Sequence, residues 1–186
     1  MVAPVKLLLL ALILIASPVP PAAAQESLPP DLQLTLLAKV LSFDRRVDQS
    51  EDIVVAVIAQ QTLPASARAR AAWRAAARKS PPLVVGESVV RVVTVEHGPG
   101  LLAELQALDA SVAVIAPLRG VDIGALGREL GAAGIRTATG VAEYEPYAAI
   151  SLLVQEGRPH IVIRQAHARR EGSDYSAQLL RLAEVH

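Results

Sequence analysis

Apolar positions along this chain fall into blocks of two periods. In "DLQLTLLAKVLSF" (31–43), Leu32, Leu36, Leu37, Val40 and Leu41 share one helical face and Leu34 nearly closes the ring. The spacing predicts a well-buried helix that starts at Asp31 after two prolines. "IVVAVIA" (53–59) is continuously apolar and mostly β-branched, the pattern of a strand covered on both faces. Residues 63–80 are rich in Ala, with Pro64 in the first turn and two prolines past the end, which predicts a second helix. "SVVRVVTVE" (88–96) predicts a second strand, "HGPG" a turn and 101–109 a short helix. Residues 111–117 read as a buried strand, 122–134 as a helix that ends on Gly, and 135–140 as a fourth strand.

The rhythm then changes. Two apolar runs around "EGRP" in 148–164 predict a hairpin. After Gly172, Tyr175, Leu179, Leu182 and Ala183 fall at i, i+4, i+7 and i+8, a stripe that predicts a closing helix capped by Ser173 or Asp174. Strands alternating with helices imply right-handed crossovers. The expected fold is a single α/β domain with a mostly parallel sheet, helices on both faces, a C-terminal antiparallel hairpin and a closing helix that seals the sheet.

The front end follows another pattern. Lys6 gives a positive start, "LLLLALILIA" an apolar run of ten residues, and Pro18, Pro20 and Pro21 a break before an Ala22-x-Ala24 cleavage site. That is the layout of a secretory signal peptide, since a membrane span needs about 20 apolar residues. The expected organisation is a signal peptide over 1–24, a linker over 25–30 and one domain over 31–186. The expected location is the periplasm.

Composition narrows the function. Eighteen basic residues balance eighteen acidic ones, and losing Lys6 shifts that balance by a single charge. Nucleic-acid binders carry a strong basic excess, and aromatic residues for base stacking are only 3%. With no Cys there is no disulfide, lipoprotein anchor or thiolate nucleophile.

Motifs add little catalytic signal. "HGPG" (97–100) lacks the Walker and G-x-G-x-x-G spacings, and "GALGRELG" (124–131) does not directly follow a strand. His97, His160, His167 and His186 form no metal-binding spacing. Glu143 and Glu145, beside Tyr144 and Tyr147, read as a polar loop at the mouth of the sheet. There is no G-x-S-x-G, so neither an enzyme nor a cofactor is expected. In 63–80, however, Arg70, Arg74 and Arg78 recur four apart on one face, and the segment holds no acidic residue. Like charges at that spacing repel slightly. A solvated face is the commoner meaning of such a row, and a docking face for an acidic partner is the functional one.

Two segments carry a family resemblance. "LLAKVLSFDRRV", with Phe43, Asp44 and Arg45, and "IVIRQAHARREGSDYSAQLLRLAEV", with Ser176, Leu179, Leu180, Leu182 and Ala183, resemble the YfiR family of small exported bacterial proteins. The hairpin at 156–159 also sits where that family has one. The resemblance spans 31–185, with one departure: Arg164–Gln165 stands where the family has Asn and an apolar residue. It implies a periplasmic, non-enzymatic protein. Such a protein binds the periplasmic part of an inner-membrane diguanylate cyclase, restrains it and lowers cyclic-di-GMP; a homodimer is left open. The rival reading is a small-ligand sensory module. Its site would lie at the carboxyl ends of the strands, built from 60–62, 96–100, 117–120 and 140–144.

Overall fold

A computed structural model describes residues 27–48, 50–78 and 81–186. The expected signal peptide, Gln25 and Glu26 of the linker, and Lys79 and Ser80 of the Ala-rich segment lie outside the described residues.

Helix α1 (Pro30–Leu41) buries Leu34, Leu37, Val40 and Leu41, and Pro30 opens it. Strand β1 (Ile53–Ala59) is buried along its whole length. Helix α2 (Pro64–Ala77) leads to β2 (Val84–Val85) and β3 (Ser88–Glu96). Helix α3 (Leu101–Ala107), strand β4 (Ala110–Ile115), helix α4 (Ile123–Ala132) and strand β5 (Arg136–Thr139) follow. Asp122 caps α4 by accepting from the N–H of Ala125 at 2.9 Å. A 3-10 turn (Ala142–Tyr147) then reaches the hairpin of β6 (Ile150–Gln155) and β7 (Arg158–Ile163).

The sheet order is β2-β3-β1-β4-β5-β6-β7-β8, with β3, β1, β4, β5 and β6 parallel and the β6–β7 pair antiparallel; the last strand, β8, is Glu184–Val185. β1 thus sits between the two directions in which the chain winds, where an open sheet leaves a crevice at its strand ends. Side chains of β1 alternate between two cores. Ile53, Val55, Val57 and Ala59 pack with α1, α2 and the C-terminal segment, while Ala56 and Ile58 pack with Leu105, Leu126 and Leu130 on the other face.

A helix follows the hairpin as expected, but the closing helix is shorter than its apolar stripe predicts. After α5 (Gln165–Arg170), the helix there is a single turn, α6 (Ala177–Leu180), capped by neither Ser173 nor Asp174. Of the stripe, Leu179 is 2% exposed and Ala183 still packs against the core, whereas Leu182 is 71% exposed. The chain leaves the helix because β8 adds parallel to β7. There the N–H of His186 donates to Ile163 and the N–H of Gln165 donates to His186. Without β8 the outer edge of β7 would present unpaired backbone groups, so strand pairing outweighs another helical turn.

The two segments that carried the family resemblance are bonded to each other. Asp44, 1% exposed, accepts from Arg136 Nε at 2.8 Å and from the N–H groups of Asp174 and Arg46 at 2.9 and 3.0 Å. The N–H of Ser176 donates to Phe43, and that of Arg45 to Asp174. Burial alone would raise the Asp44 carboxyl, but these hydrogen bonds and the Arg136 charge outweigh it and hold the group below its ordinary value.

Glu171 follows the opposite rule. Its oxygens accept from the N–H and the hydroxyl of Thr137 at 2.8 and 2.5 Å. Burial nevertheless raises its carboxyl from 4.5 to about 7, against those bonds and the Arg136 and Arg170 charges. A raised value means that the fold favours the protonated form. This contribution is full below the ordinary carboxyl range and is lost as pH rises through about 7. Urea unfolding from mildly acidic to mildly alkaline pH should show stability falling by up to about 3 kcal/mol. In Glu171→Gln, whose amide can meet both Thr137 groups uncharged, that slope should flatten. A wild-type protein with no such slope would refute the assignment.

Candidate functional site

The polar loops at the strand ends bind one another. The Gln60 amide brackets Arg119, donating to its carbonyl at 3.0 Å and accepting from its N–H at 2.7 Å. Glu96 accepts from the N–H of Gln61 at 2.7 Å, and the Tyr144 hydroxyl lies 2.9 Å from both N and O of Leu118. "HGPG" is a turn into α3, with Gly100 at φ 86°. Much of the edge expected to hold a ligand is therefore stitched shut.

Among the described residues two hollows remain there: one of about 470 Å³ beside His97–Gly100 and α3, and one of about 340 Å³ between the ends of β4 and β5 and the helices α1 and α2. The walls of the second include Leu28, Gln33, Arg68, Trp73, Pro117 and Gly140. Gly140 is needed for space: a Cβ there would lie 2.5 Å from the Gln33 amide. The sequence pointed to Pro117 and Gly140 but not to the helical wall. The missed signal is Ala65, Ala69 and Ala72 on one side of α2, where small side chains leave room between helix and sheet.

The three arginines of the row have different surroundings. Trp73 anchors α2 inwards at 3% exposure. Arg70 is half-buried and is neutralised by a carboxylate that its own helix lacks. Its NH1 lies 3.2 Å from Glu96 of β3, and its Nε donates to Thr94 Oγ1 at 3.2 Å. Arg74 donates to the same hydroxyl at 3.0 Å but is exposed, as is Arg78. Arg70 and Arg74 thus lie along β3, whose outer edge among the described residues is paired at Ser88 and Val89 by β2 and at Val90 by the Leu83 carbonyl. Val84 and Val89, 55% and 39% exposed, sit at that corner.

The remaining candidates have local roles. Arg164 pairs with Glu145 at 2.8 Å and donates to its carbonyl, which ties the end of β7 to the 3-10 turn. Glu184 holds both His160 and His186, at 2.7 and 2.9 Å. His167 is held below its ordinary value by burial and by the Arg170 and Arg164 charges. Gly127 of α4 lets the Tyr147 carbonyl approach, since a Cβ would meet it at 2.5 Å, so this glycine serves packing. Among the described residues no group of three or more His, Asp or Glu could hold a metal ion, and no helix is long and apolar enough to cross a membrane.

No family model and no curated protein matches this chain. Among solved structures it is similar to a conserved domain protein from Vibrio cholerae O1 biovar eltor, with a TM-score of 0.59 and 13% identity. The match covers 87% of this chain and 60% of that one. At that identity the likeness concerns the fold.

Proposed function

We propose that the chain is a non-enzymatic periplasmic regulatory protein of the YfiR type, exported through a signal peptide cleaved after Ala24. In this reading it binds the periplasmic part of an inner-membrane signalling protein, a diguanylate cyclase, and holds it inactive. It does so by binding the inactive state more tightly than the active one. The supporting observation is the edge formed by α2 and β3, where exposed Arg74 bonds to Thr94, exposed Arg78 follows one turn on, and the strand has no outer strand partner past Val90 among the described residues. Unpaired strand edges invite added chain, and arginines favour carboxylates because the guanidinium fork can make two bonds at once. The resemblance of 31–185 to the family supplies the class of partner.

The test is the double variant Arg74→Glu/Arg78→Glu, which spares the Arg70–Glu96 pair. Glu is a good helix former, so the circular dichroism spectrum should be unchanged. Cells carrying the variant should contain more cyclic-di-GMP. Binding to the periplasmic part of the cyclase should associate roughly tenfold more slowly, and wild-type association should slow as salt rises, given a screening length of about 8 Å. Normal cyclic-di-GMP at normal abundance of the folded variant would reduce the row to a solvated face.

A small-ligand sensory role is the second reading, favoured by the hollow at the ends of β4 and β5.

A further inference from the structure

The hollow under α2 has a chemistry of its own. Its walls are mostly apolar, with Leu28, Ala69, Ala72 and Trp73 among them. Arg68 is the only charged residue among those lining it, is exposed, and makes no ion pair or hydrogen bond among the described residues. The first turns of α1 and α2 reach it through Pro30 and Ala65, so the positive ends of two helices add to Arg68. Asp31, which would oppose them, lines a neighbouring hollow instead. Gln33 is 6% exposed; its Nε2 donates to the Leu28 carbonyl at 2.6 Å, and its Oε1 accepts no bond from the described residues. The site therefore offers an apolar body, one cation at the mouth and one free acceptor deep in the wall. Its volume lies at the lower end of the range for ligand pockets, roughly 300–1,000 Å³.

We propose that the hollow between α1, α2 and the ends of β4 and β5 binds a small amphipathic monocarboxylate that carries a hydroxyl. The tail lies against Trp73, the carboxylate meets Arg68, and the hydroxyl donates to Gln33. This proposal rests on the ligand reading of the hollow and is independent of docking at the β3 edge.

Trp73 is the chain's one tryptophan, so its emission reports on the hollow directly. The chain from Gln25 onward, which contains every described residue, should be titrated with octanoate, 3-hydroxyoctanoate and 1-octanol. Both acids should change the emission saturably, the hydroxy acid with several-fold higher affinity. Arg68→Ala should weaken both acids about tenfold and leave 1-octanol unchanged. Ala72→Phe should fill the hollow and abolish binding of all three, with folding checked by circular dichroism. Equal binding of octanoate to wild type and Arg68→Ala would overturn the carboxylate assignment, and equal affinities of the two acids would overturn the hydroxyl. No saturable response to any of the three would overturn the ligand reading itself. Arg68 is exposed, so this arm holds even where Ala72→Phe misfolds.

Discussion

Asp44→Ala should cost about 3–5 kcal/mol of stability, because it breaks a buried ion pair and leaves the Arg136 guanidinium with only the more distant charge of Glu171. Arg136 is 8% exposed and its Nε has Asp44 as its hydrogen-bond acceptor at 2.8 Å. The same substitution strips an acceptor from the N–H groups of Asp174 and Arg46, so it also loosens the segment after α1 from the C-terminal segment. Domains are stable by only about 5–15 kcal/mol, so the loss should move the urea midpoint far or prevent accumulation of folded protein. Adding Arg136→Met to Asp44→Ala should recover much of it, since the unpaired charge is then gone. A single variant within 1 kcal/mol of wild type would mean that Arg136 finds water. Acid should act in the same direction. The Asp44 carboxyl lies below its ordinary value, so its contribution is present above the ordinary carboxyl range and is lost as pH falls through the native value.

Leu179→Ala and Leu182→Ala should differ sharply although both leucines lie on one sequence stripe. Leu179 is buried in the core shared by α1, β1 and β7, and its truncation should cost about 2–5 kcal/mol. For a chain of this size that lowers the melting temperature by on the order of 10 °C. Leu182 is exposed, and its truncation should stay within about 0.5 kcal/mol. Equal effects in calorimetry would restore the longer closing helix.

This pair also marks where sequence reading stops. The strands β1 and β4 were legible because β-branched runs can be buried on both faces of a sheet and nowhere else as cheaply, and the half-exposed β3 was legible because its Val-rich run suits a strand. Leu182 was not, because the decision to leave the helix belongs to β7, whose edge lies about twenty residues earlier. β2 is only two residues long and exists because it pairs with β3. The site was half legible. Strand-end loops follow from the fold class, so Pro117 and Gly140 were named in advance, whereas Gln33 and Arg68 come from helices whose docking no local pattern encodes. The Arg row was visible, but its partner Glu96 lies on another element, and Coulomb pairs across elements leave no mark on periodicity. A lone Arg136 within a four-residue strand was the one local hint of the buried ion pair.

Helix α2 carries Arg68, Ala69 and Ala72 on the hollow and Arg70 and Arg74 along β3. Each proposal stands without the other, but if both hold, two binding events on this one helix are coupled wherever either of them shifts it. A carboxylate that tilts the helix and weakens docking tenfold must itself be held tenfold less tightly by the docked protein, a coupling of about 1.4 kcal/mol. Under the proposed function, the membrane partner would then act as a competitor for a ligand that it never touches. Its abundance in the cell would set the ligand concentration at which the protein lets go.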